Sequence, residues 1–322
     1  MTTKEKVLDL LMTSDSILSG EKMAQDLAVS RTSVWKAIKT LEKEGFEITH
    51  EANGYRLEAT PEHLSATEIR QLFTAENQIE RVAVLKTSES TMKDAKKAAI
   101  EDQVEATLFV AETQTAAKGR FGRPFVAKPK EGIYLSLLLN PYKKFSELPQ
   151  YTVVMAVAVV KAVENLTGKQ AQIKWVNDIY LDGRKICGIL SEAMSDVNTM
   201  EIAHIIIGLG FNLAIPQTDF PDELQAKATS LFPDGKPTIT RNQLIAEIMN
   251  QFFFYLNQPQ ITIDLYRKHS FVLGKTVSYN RQNQTYVGTA VDINDLGELI
   301  VDLTDGSQQV LSSGEISLAT IG

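Results

Sequence analysis

Lys118-Gly119-Arg120-Phe121-Gly122-Arg123-Pro124-Phe125 is a cationic stretch broken by glycine, and about fifty residues later the chain runs Lys174-Trp175-Val176-Asn177-Asp178. In the first segment, two glycines let the backbone come close to a ligand. Arg120 and Arg123 add planar forks suited to carboxylate and phosphate. The second segment sits where a strand would end and sets an amide beside a carboxylate. Together they point to a site that handles an anionic, phosphorylated intermediate.

Working outward, the spacing predicts a strand over 82–85, a helix over 90–100 with Ser90 at its N-cap, and strands over 107–111 and 133–139 on either side of the Gly/Arg loop. A long buried helix over 151–166 follows, then a strand opening at 173–175. Asp182-Gly183 turns a hairpin into 186–190. A buried strand over 205–207 ends in Gly208-Leu209-Gly210-Phe211-Asn212. This is a mixed α/β sheet with hairpins rather than a βαβ repeat, so the glycine run lacks the strand-to-helix setting of a dinucleotide fingerprint. Residues 214–236 have no clean period and suggest a lid or a disordered connection. A helix over 243–256 closes the domain. From 276 onward, short strands over 276–279, 286–293 and 298–303, with Asp305-Gly306 opening the next, suit a small SH3-like barrel.

The chain has 322 residues, a net charge of −7, 43% hydrophobic and 23% charged residues, which suits a well-packed soluble protein of two or three domains. Its acidic balance excludes indiscriminate nucleic-acid binding, so any DNA contact must come from a local patch. One cysteine, Cys187, permits no disulfide within the chain and fits a reducing, cytoplasmic setting. The N-terminus shows no signal-peptide core, and the longest apolar run, 153–160, is too short to span a bilayer.

The first sixty residues form their own pattern. Helices are expected over 4–12, after Ser19, and over 31–44 with Ser30 as N-cap, followed by a hairpin turning at Asn53-Gly54. Three helices and a hairpin describe a winged helix-turn-helix. Residues 1–57 hold eight basic and nine acidic side chains, but 31–43 hold four basic and one acidic. Arg31, Thr32 and Ser33 are expected to reach bases, with Lys36, Lys39 and Arg56 on phosphates. Pro61 marks the linker.

Taken in order, the Gly/Arg loop, Lys174-Trp175-Val176-Asn177-Asp178, Arg184-Lys185-Ile186-Cys187-Gly188, the Gly208–Asn212 run and the terminal Gly314-Glu315-Ile316-Ser317-Leu318 resemble the biotin–protein ligase family. They resemble specifically its bifunctional members, which also repress the biotin operon. The resemblance covers nearly the whole chain. It implies three domains: 1–60 a winged helix-turn-helix, 61–270 a central mixed α/β ligase domain, and 271–322 an SH3-like barrel. It also implies a two-step reaction, in which biotin's carboxylate attacks the α-phosphate of ATP and the adenylate then acylates a carrier lysine.

By this resemblance, Ser90, Thr91, Gln114, Gly119 and Arg120 line the biotin site, and Lys185 bridges the carboxylate and α-phosphate. Gly188, Gly208 and Gly210 let the backbone approach biotin. Arg123, Phe125 and Asn212 meet the nucleotide, and Asn177 and Asp178 hold Mg²⁺–pyrophosphate. Lys185, Arg120 and Asp178 are the expected catalytic set. The implied partners are a biotin carboxyl carrier domain, operator DNA and, once adenylate is bound, a second copy of the chain. Met92, Phe125 and Val176 depart from the family's usual Asn, Trp and Pro. A biotin-sensing repressor without catalysis and a lipoate ligase are the competing readings, and the Lys185 and Asn177-Asp178 set disfavours the first of these.

Overall fold

The computed structural model describes residues 2–14, 16–59, 63–101, 105–123, 125, 127–148, 150–196, 199–281 and 284–318. Pro61 and the expected boundary at 60/61 lie outside them. Three capped helices open the chain: α1 (Thr3–Met12) with a Thr2/Glu5 capping box, α2 (Gly20–Asp26) capped by Ser19, and α3 (Arg31–Lys43) capped by Ser30. Val7, Leu8, Leu11, Met23, Val34, Ile38 and Leu41 from their inner faces bury together with Phe46. A two-stranded wing, β1 (Glu47–Glu51) and β2 (Gly54–Ala59), completes the unit.

The wing turns at Ala52-Asn53, not at Asn53-Gly54, because Glu51 pairs with Gly54. Gly54, at φ 150°, is needed for a different reason: a Cβ there would lie 2.1 Å from the Leu18 carbonyl oxygen. Leu18 and Tyr55 exchange backbone hydrogen bonds at 2.9 Å, which brings the α1–α2 connection hard against the wing.

This unit meets the rest through a polar seam on α4 (Ala66–Gln71), whose N-cap is Ser65. The Thr67 hydroxyl donates to Glu44, which Lys4 also holds from within the winged unit at 2.6 Å; Gln71 donates to Asp9, and Arg70 lies 3.6 Å from Glu5. The apolar cores on the two sides form separate clusters.

The central sheet contains β3 (Arg81–Leu85), β4 (Thr107–Ala111), β5 (Gly132–Leu139), β6 (Gln172–Lys174), β7 (Asp178–Leu181), β8 (Arg184–Ser195) and β9 (Ile202–Asn212). Its order is β3-β4-β5-β9-β8-β7-β6. Only β3 and β4 run parallel, joined by α5 (Thr91–Ile100); the other neighbours are antiparallel. One face carries α5. The other carries α6 (Tyr151–Thr167), packed with α8 (Arg241–Leu256) and α9 (Pro259–His269). α6 buries ten of its side chains, the signature of a helix enclosed between layers.

Several expectations change. Ser90 occupies the N-cap position of α5 but its hydroxyl makes no capping bond; its carbonyl accepts the Lys93 and Asp94 N–H groups instead. The glycine run at 208–212 is strand interior, because β9 extends from Ile202 to Asn212. Residues 214–236 are not a disordered connection. They include α7 (Asp222–Gln225), and they zip along the sheet: Lys185 N–H donates to the Lys227 carbonyl and Thr229 N–H to the Lys185 carbonyl, both at 2.9 Å. α9 is absent from the expectations, although Pro259 in its first turn is a recognised start signal.

The C-terminal strands are β10 (Thr276–Arg281), β11 (Gln284–Ile293), β12 (Leu299–Leu303), β13 (Gln308–Leu311) and β14 (Ile316–Leu318), in the order β13-β12-β11-β10-β14. All pairs are antiparallel. Among the described residues no ladder joins β13 to β14, so the sheet is open rather than a closed barrel. It is anchored to the central domain by the buried Trp175, whose indole N–H donates to the Gly297 carbonyl at 2.9 Å, and by Arg267, which bonds Asp295 and the Ile293 carbonyl.

Candidate active site

Gly188, Gly208 and Gly210 leave part of the central sheet without side-chain bulk. Register sets Asp178 opposite Gly188, Gly188 opposite Gly210, and Gly210 opposite Tyr134. Two positions along, Leu190 faces Gly208 and Gly208 faces Ser136. A cleft of about 230 Å³ stands on this floor. Cβ atoms at 208 and 210 would meet the Met92 sulfur at 2.6 Å and the Phe125 ring at 2.5 Å, so these two side chains lie directly on the glycines. Neither glycine has a left-handed φ. What is demanded there is space, not backbone freedom.

Polar groups rim the floor. Lys185 Nζ lies 2.7 Å from Asp178 Oδ1, and both side chains are partly exposed to the cleft. Arg120, on the loop above, donates to Asn177 Oδ1 at 2.8 Å, and Asn177 Nδ2 donates to the Ile189 carbonyl at 2.7 Å. At the far end, Thr91 N–H donates to Gln114 Oε1 at 2.7 Å, and the Thr91 and Ser136 hydroxyls are 2.8 Å apart. The loop is closed at its base, where Gly119 N–H donates to the Arg123 carbonyl and Phe125 N–H to the Ala117 carbonyl. Phe121 at its tip is 72% exposed, with φ 57° and the Arg120 guanidinium 5.2 Å from its ring.

Arg123 forks onto Glu315 at 2.7 and 2.6 Å, tying the loop to the C-terminal sheet. Those bonds hold the Glu315 carboxyl below the usual glutamate range. Burial pushes the Cys187 thiol, between Lys185 and Gly188 on β8, well above the usual thiol value. Its place in the sheet is therefore one of packing, not of nucleophilic chemistry.

Cations and hydrogen-bond donors facing an apolar slot suit a negatively charged acyl phosphate. Comparison with known proteins agrees. Residues 84–212 match the biotin/lipoate A/B protein ligase family, 3–56 an HTH domain, and 272–319 the biotin protein ligase C-terminal domain. The bifunctional ligase/repressor BirA of Bacillus spizizenii is 34% identical over 319 residues, covering 97% of this chain and 98% of that protein. This chain belongs to the bifunctional biotin–protein ligase/repressor family. BirA of Escherichia coli is 25% identical over 316 residues, covering 96% and 95%. The biotin protein ligase of Aquifex aeolicus, solved with biotin and ATP, superposes with a TM-score of 0.62 at 27% identity, covering 74% of this chain and 99% of that one.

For this family member, the structure gathers nearly all of the expected ligand residues in one cleft. Ser90, Thr91, Gln114, Gly119, Arg120, Arg123, Phe125, Asn177, Asp178, Lys185, Gly188, Gly208 and Gly210 all line it. Asn212 does not: it is buried, and its amide donates to the Thr229 carbonyl at 3.1 Å. Glu315 lines the cleft without having been assigned a role, and Ser136 stands behind it, its hydroxyl against that of Thr91. Ser136 carried a signal, being a fully buried hydroxyl in a strand that is otherwise apolar around it.

In the winged unit Arg31, Thr32 and Lys36 are exposed on α3, as a recognition face requires. The Ser33 hydroxyl instead lies 2.9 Å from that of its N-cap, Ser30. Lys39 and His50 converge on Glu42 at 2.8 and 2.6 Å, and Arg56 on the wing bonds Glu58 at 2.8 Å.

Proposed function

We propose that this protein activates biotin with ATP, forms biotinyl-5′-AMP, and transfers the biotinyl group to one lysine of a biotin carboxyl carrier domain. In the first step a biotin carboxylate oxygen bonds to the α-phosphorus, the bond from that phosphorus to the bridging oxygen breaks, and pyrophosphate leaves. In the second, the carrier lysine's neutral amine bonds to the acyl carbon, the acyl–phosphate oxygen bond breaks, AMP leaves, and the nitrogen loses a proton. Both steps move negative charge over a few ångströms, so fixed cations are the main catalytic requirement.

The observation that carries this reading is Lys185. It sits over the glycine floor, held by Asp178, with its backbone clamped on both sides by residues 227 and 229. A point charge so placed can serve the attacking carboxylate and the leaving phosphate in turn. Arg120, oriented by Asn177, supplies a second cation from the loop. Thr91, backed by the Ser136 hydroxyl, and Gln114 offer a polar pocket for the ureido ring, while Gly188, Gly208 and Gly210 would let it lie against the sheet once the Met92 and Phe125 side chains swing aside. Arg123 and Phe125 would seat the nucleotide, and closure of the loop would keep water from the adenylate.

Among the described residues no cluster of three metal-ligating side chains exists. Asn177 and Asp178 would hold Mg²⁺ with pyrophosphate, and both already have protein partners, Asn177 in Arg120 and the Ile189 carbonyl and Asp178 in Lys185. One protein carboxylate is in keeping with an ion carried mostly by phosphate oxygens. When bound with ATP, magnesium neutralises phosphate charge.

The proposal extends to a cytoplasmic protein of three parts, 1–60, 61–270 and 271–322, with the open C-terminal sheet as an SH3-like unit. Adenylate would promote pairing of two copies through the central domain. The pair would then repress biotin genes by setting two α3 helices into successive major grooves of an operator. Mass spectrometry of the protein incubated with Mg·ATP and either biotin or lipoate tests the chemistry. Biotinyl-AMP alone is expected. Lipoyl-AMP alone would reassign the substrate, and no adenylate with either acid would remove the catalytic reading.

A further inference from the structure

Trp35 is the large apolar side chain of α3 that the core leaves outside. It is 49% exposed, whereas Val34, Ala37, Ile38 and Leu41 of the same helix are buried. Among the described residues its indole N–H makes no hydrogen bond and its ring no aromatic contact. It stands one turn beyond Arg31 and beside Lys36, both exposed. A groove of about 570 Å³ runs between the first turns of α3 and the wing, lined by Arg31, Thr32 and Trp35 on one wall and by His50, Asn53 and Tyr55 on the other. The His50 and Tyr55 rings meet edge to face at 5.0 Å, which stiffens that second wall. The two carboxylates bordering the groove have cationic neighbours: Glu21 lies 4.0 Å from Arg31 and Glu51 3.9 Å from Arg56.

An exposed tryptophan between a base-reaching Arg31 and a phosphate-holding Lys36 fits a surface that offers an apolar spot between polar base edges and phosphate. The DNA major groove is such a surface, because the thymine 5-methyl is the apolar group on its floor. Residues in the first turns of a recognition helix are the ones that reach base edges. We propose that Trp35 is a base-reading side chain whose indole face lies against a thymine methyl and sets a thymine preference at one position of each half-site. The proposal rests on the DNA-binding reading above and adds a specificity determinant to it.

The full-length protein, with biotin and Mg·ATP present, would first select duplexes from a random pool. Each thymine of the selected duplex would then be replaced singly by deoxyuridine, which lacks only the methyl. One thymine per half-site should prove sensitive, with wild-type affinity falling about five- to tenfold. Trp35→Ala should bind the thymine and uracil duplexes equally, while Trp35→Phe keeps part of the discrimination. Lys36→Ala should weaken both duplexes alike and leave their ratio unchanged. Discrimination retained in Trp35→Ala, or a wild type indifferent to every deoxyuridine, would overturn the proposal. A wild type that enriches no duplex would overturn it together with the DNA-binding reading, and is distinguishable from the first failure by that result. Because Trp35 lies outside the core, a native far-UV spectrum is expected for both tryptophan variants.

Discussion

Lys185 Nζ stands 2.7 Å from Asp178 Oδ1, across the hairpin that Asp182-Gly183 turns. Both turn residues have positive φ, 50° and 76°, so the hairpin geometry itself brings a cation on β8 beside a carboxylate on β7. Lys185→Ala should abolish adenylate formation, by at least about a hundredfold in rate if the charge acts only as the transition state forms. The side chain is one-third exposed, so the melting temperature should stay within a few degrees. Pyrophosphate release in single-turnover assays checks the first point and calorimetry the second; wild-type rates in the variant would dismiss Lys185 from the chemistry.

Gly210→Val tests the floor. The backbone there suits any residue, and the nearest obstruction is the Phe125 ring, the end of a movable side chain. The variant should fold, yet biotin affinity should fall by roughly tenfold or more as the slot fills, a change of about 1.4 kcal/mol. Titration calorimetry with biotin alone reads it. An unchanged affinity would mean the ring does not use this floor.

The Arg123–Glu315 fork gives a pH dependence whose sign follows from its direction. The folded Glu315 carboxyl titrates below its unfolded value of about 4.3. Its contribution is therefore present above that value and is lost as pH falls through the lower, folded one. With side chains 63% and 47% exposed, the pair adds little to global stability. It matters as a tether on the loop. A carboxyl NMR titration should place the Glu315 midpoint below that of a free glutamate, and Arg123→Ala should return it to the ordinary range. An ordinary midpoint in wild type would show that the fork does not persist in solution.

Trp175→Phe should cost about 1–3 kcal/mol, because the Gly297 carbonyl loses its donor in a buried setting. Denaturant unfolding monitored through the remaining tryptophan, Trp35, would understate the change if the winged unit melts apart; far-UV circular dichroism is the better probe. A loss below about 0.5 kcal/mol would count against the bond as a tie between the central and C-terminal domains.

Local signals were legible where the physics is local. Ser19, Ser30 and Ser65 are helix caps because short hydroxyl side chains satisfy first-turn N–H groups, whereas Ser90 holds the N-cap position of α5 without a side-chain capping bond. The cleft residues were legible because the Gly/Arg loop, the Asn177-Asp178 pair, Lys185-Gly188 and the Gly208–Asn212 run follow one another along the chain in the order the resemblance implies. What escaped depends on distant partners. Gly54 is required by Leu18, thirty-six positions earlier, so the turn falls one residue sooner than Asn53-Gly54 suggests. Asn212 is absent from the cleft lining, its amide donating to the Thr229 carbonyl that the 214–236 segment supplies. Glu315 enters the site only because the C-terminal sheet folds back onto a loop 192 positions away. Such relations have no periodicity for a sequence to display.

The polar seam on α4 has an evolutionary consequence. Glu44 and Thr67, and Asp9 and Gln71, can trade one another for water at little cost, since no shared apolar core bridges the two sides. A gene fusion or truncation at this seam would uncover no sticky surface on either fragment. A lineage could thus discard the regulator, or graft a new one, while leaving the enzyme untouched.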